Sequence, residues 1–344
     1  MKNLLLLYLT VATLMSCKTN ELYINVLQPA PVTMPQAIKK IGIIDRSIPT
    51  DETKLADIID RAVTLESADL DKDGAKESIK GLREELLNNQ RFTDVKLIDN
   101  TEFRASRIGF LPPPLSWDIV TRLCTEAGSD ALFALERFDT DTRIDFSGGD
   151  SGMGIKIGNL PVLKTAVTME VIVKTGWRIY YPTENKILEE FSFAESIVYD
   201  GRGINPVAAL EGLLNRKEAV KEVSRMAGNK YAMRILPFRL DVTRDYYVKG
   251  TDNFKIARRK AQMGKWDEAA TLWEKETDNP KSKIAGRAVY NMAIINEING
   301  RLDDALGWTQ KAWEDYNIKR ALKYARILKG RKYDNELLKL QEDQ

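Results

Sequence analysis

Val167-Thr-Met-Glu-Val-Ile-Val-Lys-Thr-Gly-Trp-Arg-Ile-Tyr-Tyr-Pro182 decides how the larger part of this chain folds. Val167, Met169, Val171, Val173, Trp177, Ile179 and Tyr181 fall on alternate positions, the period of a strand with one buried face. Pro182-Thr-Glu-Asn185 supplies turn residues, and Ile187, Phe191, Phe193, Ile197 and Tyr199 then alternate again. The pattern predicts a long antiparallel hairpin that lays one face on a core and the other in water. Trp177 and Tyr180 read as core and sheet residues rather than ligands.

Upstream of the hairpin, strand and helix signals alternate. Lys40-Ile-Gly-Ile-Ile-Asp45 and Val95-Lys-Leu-Ile-Asp99 are short apolar strands, and Asp130-Ala-Leu-Phe-Ala-Leu-Glu136 is a buried one. Ile79, Leu82, Leu86 and Leu87 recur at helical spacing within Ala75 to Asn88, and Ser116 stands as the cap of a helix reaching Ala127. A helix from Pro206 to about Met226 and a strand from Met233 to Val242 complete the unit. The expected class is α+β: a mixed α/β layer domain over 37–250 with a long antiparallel hairpin, followed by an all-α module over 251–344.

Composition narrows the chemistry. The chain has 344 residues, enough for two domains, with 52 basic residues against 50 acidic and a formal net charge of +2. That balance argues against a nucleic-acid partner held by bulk charge. No histidine is present, which removes the commonest general base and the commonest metal ligand together. No catalytic residue, metal site or cofactor is therefore expected, although carboxylate chemistry by Glu189, Glu190 and Glu195 on the hairpin stays open. Outward carboxylates on a strand usually serve solubility. Asp69-Leu-Asp-Lys-Asp-Gly74 matches half of a calcium loop, but Lys80 stands where a bidentate Glu is needed, and Asp71 or Asp73 capping a helix from Ala75 explains the same residues. Gly149-Asp-Ser-Gly152 has no base to activate its serine, so Ser147 to Gly158 reads as a glycine-rich loop between strands.

At the N-terminus, Met1 and Lys2 precede an apolar run from Leu4 to Leu14, shorter than the roughly 20 residues of a membrane span, and then Met15, Ser16 and Cys17. Leu14-Met15-Ser16-Cys17 resembles the bacterial lipobox. That resemblance implies a signal peptide over 1–17, acylation of Cys17 and attachment to a membrane. Lys18, where inner-membrane retention would want Asp, implies the outer membrane. Residues 18–36 read as a tether in which Glu21 to Gln28 can form a short strand and Pro29-Ala-Pro-Val-Thr-Met-Pro35 then holds the chain extended. Cys124 then has no intramolecular partner, and it shares a helix side with Val120 and Leu123 as a small buried hydrophobe.

Gly264-Lys-Trp-Asp-Glu-Ala269 recurs as Gly300-Arg-Leu-Asp-Asp-Ala305. The offset and residue types resemble tetratricopeptide repeats, with Gly264 and Gly300 ending one helix of each pair, Trp266 opening the next, and Ala269 and Ala305 at the close crossing. Lys260 and Asn296 stand where that family has an aromatic residue, and the unit at Gly330 is degenerate. Trp266, Trp273, Trp308 and Trp313 are expected between helices. Lys319, Arg320, Lys323, Arg326, Lys329, Arg331 and Lys332 form a run without an acid, from which Lys319, Lys323 and Arg326 are singled out as a basic contact face.

Ile38-Lys-Lys-Ile-Gly-Ile-Ile44, Ala127-Gly-Ser-Asp-Ala-Leu132 and Trp177-Arg-Ile-Tyr-Tyr-Pro182, read with the hydrophobic pattern, resemble a family of uncharacterised Bacteroidota lipoproteins. More distantly, residues 22 to 250 resemble the periplasmic α/β domains of curli-secretion-type lipoproteins and the N-terminal part of Tol-system β-propeller proteins. These resemblances imply a lipid-anchored cell-envelope protein that docks a protein or peptide partner in its repeat groove, or, alternatively, an oligomeric subunit of an outer-membrane secretion or assembly complex.

Overall fold

The computed structural model describes residues 19–47, 68–99, 111–148, 156–157, 160–161, 165–203, 209, 211, 213 and 215–343. Cys17 and the Gly149–Gly152 motif lie outside the described residues. The chain is α+β and divides into two units: one within residues 30–236, built round a sheet, and a second in which the described residues 19–29 join 237–342.

The sheet unit contains β2 (Lys40–Asp45), α1 (Ala68–Asn88), β3 (Asp94–Ile98), α2 (Trp117–Ala127), β4 (Ala131–Gly148), β7 (Thr165–Tyr181), β8 (Lys186–Gly203) and α3 (Arg216–Ala232). A two-residue ladder joins β5 (Lys156–Ile157) to β6 (Leu160–Pro161). Five strands form one sheet in the order β3-β2-β4-β7-β8, parallel across the first three and antiparallel across the last three. The hairpin read from alternation is therefore present, with Asn185 in the left-handed conformation that closes its turn. Val167, Met169, Val171, Val173, Trp177 and Ile179 are buried in the core beside residues of α1 and α3, as the period of two requires. On the opposite face, Val120, Leu123 and Cys124 of α2 pack with Leu132, Ala134 and Tyr180. Burial pushes the Cys124 thiol up.

Several local expectations shift. α1 begins at Ala68, so Asp71 and Asp73 sit inside a helix and neither cap it nor belong to a metal loop. Asp71 accepts from the Thr140 hydroxyl at 2.7 Å, and Asp73 pairs with Lys217 at 2.8 Å. Leu87, read with the core stripe, is 40% exposed. α3 starts at the Asn215 cap and runs to Ala232, and the following strand starts at Phe238 rather than Met233. Ser116 occupies the cap position of α2 without making a side-chain capping bond.

The second unit holds β1 (Thr19–Gln28), β9 (Phe238–Tyr247), α4 (Asp252–Gln262), α5 (Trp266–Glu274), α6 (Ser282–Ile298), α7 (Leu302–Glu314) and α8 (Lys319–Asp343). β1 and β9 pair antiparallel over their full length, from Thr19 opposite Tyr247 to Gln28 opposite Phe238. The short strand read at Glu21 to Gln28 is present and begins at Thr19; its backbone groups find partners more than two hundred residues away, and Leu22 joins the core of the helices. The two units divide at 29/30 and 236/237.

α4–α5 and α6–α7 are successive helical hairpins with the same turn chemistry. Gly264 and Gly300 have φ of 73° and 74°. Gly264 N–H donates to Ala261 O and Lys265 N–H to Lys260 O; Gly300 N–H donates to Glu297 O and Arg301 N–H to Asn296 O. Both ends are Schellman caps, which glycine adopts at least cost. Ala269 and Ala305 are fully buried one turn into the next helix. Trp273 is buried and Trp266 and Trp308 pack against the same core, whereas Trp313 is 37% exposed.

Candidate functional site

Two buried charge clusters stand out, one in each unit, and neither was legible in the sequence. In the sheet unit, Glu136 lies on β4 with its carboxylate out of solvent. Arg46 Nη1 donates to one oxygen at 2.5 Å, while Arg178 Nη1 at 2.9 Å and the Tyr180 hydroxyl at 2.8 Å donate to the other. Arg178 also donates to Glu190 at 2.8 Å and to Pro112 O at 3.0 Å, and Leu115 N–H donates to Tyr180 Oη at 3.0 Å. Burial, then the neighbouring Glu136, pushes the Tyr180 phenol up. The cluster pins the segment before α2 to the sheet.

The hairpin carboxylates are dispersed by the same logic. Glu190 serves Arg178, Glu189 binds Arg234 at 2.5 Å and Glu195 binds Lys230 at 2.5 Å. Each of the three pairs with a different cation, from β7, from just beyond α3 and from α3 respectively.

In the second unit, Glu297 of α6 accepts twice from Arg244 of β9, both at 2.8 Å, from the Tyr324 hydroxyl at 2.6 Å and from Arg331 at 2.9 Å. Burial alone would raise this carboxyl; Arg244, Tyr324 and Arg331 outweigh it and hold the group below the usual range. Asn291 extends the ribbon ladder: it accepts from Tyr247 N–H at 2.7 Å and donates to Tyr247 O at 2.8 Å. α6 is consequently buried on nearly all sides, from Ala288 to Glu297 without a break. β9 and α8 both pack along it, through Arg244 and Tyr247 on one and Tyr324 and Arg331 on the other.

Next to this seam lies a pocket of about 320 Å³ lined by Arg244, Asp245, Tyr290, Arg320, Lys323 and Tyr324, among others. Arg320 is paired with Asp245. Burial pushes the Tyr290 phenol up, and burial with the adjacent Glu297 does the same to Tyr324. Of the seven cations in the run on α8, Arg320, Arg331 and Lys332 have carboxylate partners, namely Asp245, Glu297 and Asp303. Lys319, Lys323, Arg326 and Lys329 have none among the described residues. The three residues chosen as a basic face are thus uncompensated, and only Lys323 reaches the pocket. Gly264, Trp266, Ala269, Gly300 and Ala305 build helix turns and packing. Among the described residues no group of three or more acidic or cysteine side chains is placed to hold a metal ion.

The model of the family described as Domain of unknown function (DUF8603) matches residues 38–247, more than half of the chain. The chain belongs to this family. A second model, Domain of unknown function (DUF6340), matches residues 255–337, so the helices following the DUF8603 region form a recognised segment of their own. No curated protein matches. Among solved structures, the DUF8603 chain is similar to a PelC dodecamer from Paraburkholderia phytofirmans at 7% identity, covering 63% of this chain and 99% of that one, with a TM-score of 0.24. It is also similar to a candidate lipoprotein from Caulobacter crescentus CB15, at 13% identity over 34% of this chain and 72% of that one, TM-score 0.15. A candidate neuraminyllactose-binding hemagglutinin homolog from Helicobacter pylori gives 10% identity, 58% and 82% coverage, and a TM-score of 0.22. TM-scores this low do not establish a shared fold. No helix among the described residues is long and apolar enough to cross a membrane.

Proposed function

We propose that this protein is a lipid-anchored component of the cell envelope, held at the outer membrane through Cys17, whose helical unit is a scaffold for a partner protein and not a catalyst. The observation that carries the reading is the pair of helical hairpins with matching Schellman caps at Gly264 and Gly300, which supports the tetratricopeptide resemblance. Stacked hairpins bind through extended surface without catalytic residues, which suits a chain free of histidine. Because α6 is buried, the partner meets the exposed surface of α4 and its C-terminal end, where Ile256 and Met263 expose apolar side chains.

The test places a photoactivatable side chain at Ile256, at Met263, or at Lys76 in the sheet unit, in full-length protein in membranes. A discrete heterologous adduct from the first two positions and none from Lys76 is expected. Adducts only from Lys76 would move the function to the sheet unit, and adducts only between copies of this chain would favour the oligomeric-subunit reading.

A further inference from the structure

The strand β1 begins at Thr19, two residues after Cys17, so an acylated Cys17 brings folded protein directly to the membrane surface. Glu21, opposite Asp245 in the ribbon, is only four residues from Cys17, at most about 14 Å of extended chain. Asp245 is the partner of Arg320, in the first turn of α8. The start of α8 is thereby tied to the anchor through four residues of chain, one step across the ribbon and one ion pair.

The outward stripe of that helix has matching chemistry. Lys319, Leu322, Arg326, Lys329 and Tyr333 follow one another at spacings of three or four residues and share a face, with Lys323 beside them. Leu322 is 43% and Tyr333 65% exposed. The four cations lack carboxylate partners among the described residues; the acids nearest them in the chain and the ribbon are Glu314, Asp315, Glu21 and the Arg320-paired Asp245. Cations flanking an exposed leucine and tyrosine are the makeup of a helix lying in a headgroup layer.

We infer that the N-terminal half of α8 docks on anionic lipid phosphates of the membrane that holds Cys17. This rests on the anchored reading above and adds an orientation: the ribbon end and α8 face the bilayer, and each well-placed cation contributes roughly five-fold to partitioning.

The full-length protein, reconstituted into phosphatidylcholine vesicles with or without phosphatidylglycerol, is treated with an amine-acylating reagent, and lysine modification is read by mass spectrometry. Lys319 and Lys323 are expected to react at least about three-fold more slowly on the anionic vesicles, with Lys255 on α4 unchanged. Raising the salt or introducing Arg326→Glu restores their reactivity, while the variant's melting curve stays that of the wild type. Equal labelling on both vesicles, in protein that floats with them and carries acylated Cys17, overturns the docking and leaves the anchor standing. Intact mass showing no acyl chain on Cys17 overturns the anchor reading and this inference with it.

Discussion

A Cβ on Gly228 would stand 1.9 Å from the Ser78 carbonyl oxygen, so α1 and α3 touch backbone to backbone where they cross. Gly81 makes the reciprocal contact, its missing Cβ falling 2.3 Å from Arg225 O. Neither neighbour is a side chain that could swing away. Gly228→Ala therefore forces the helices apart over the sheet, and its expected cost is about 1–3 kcal/mol. Gly307, on the surface of α7 with nothing within 4 Å, is the control. Gly307→Ala should stabilise by up to about 1 kcal/mol through helix propensity alone. Urea unfolding of both variants checks the pair; a stabilised Gly228→Ala would mean the crossing is looser than the backbone contact implies.

Glu136 is the counter-charge for two buried guanidinium groups. Glu136→Gln keeps the shape but removes the charge from between Arg46 and Arg178. Breaking the cluster from one side removes a buried charge-assisted partner from both guanidinium groups, although Arg178 keeps Glu190, and the expected cost is about 3 kcal/mol. Thermal melts in low and high salt decide this, and a loss below about 1 kcal/mol would place the cluster in water.

The hairpin and the two glycine turns were legible because their signals are local: alternation along each strand, and a glycine at a fixed offset. The β1–β9 ribbon was not, since Thr19–Gln28 looks like any short polar strand and its partner lies more than two hundred residues on. The packing of β9 along α6 was hidden with it. Glu136 was hidden at the end of an apolar strand, where a residue's sequence neighbours say nothing of the arginines reaching it from β7 and the end of β2. The basic face was visible as a run of cations, but which of them remain uncompensated depends on acids contributed by β9, α6 and α7.

Stability of the helical unit should fall in acid through Glu297. Its carboxyl is held below the ordinary value of 4.5, so in the folded state it stays charged where the unfolded chain has begun to bind a proton. The contribution is therefore full above about pH 4.5 and is lost as pH falls through the lower folded value. Unfolding free energies measured downward from pH 6 should show this decline, and Glu297→Gln, though less stable at pH 6, should show a shallower one. Parallel slopes in the two proteins would remove Glu297 from the linkage.

Gly264 and Gly300 have left-handed backbones, and a methyl group added at either Cα would have no atom within 4 Å, so an alanine there meets no clash. Only the conformation is at issue. Gly264→Ala and Gly300→Ala should each cost about 1–2 kcal/mol, by the same amount at both sites, whereas Gly→Asn should cost less because asparagine tolerates the left-handed region. Set 36 positions apart, the two glycines close separate turns, and the losses should add in the double variant. Chemical denaturation of the four single variants and the double one measures this directly. Unequal costs, or asparagine no better than alanine, would mean that one turn carries a contact beyond its own cap and that the two hairpins are not equivalent units.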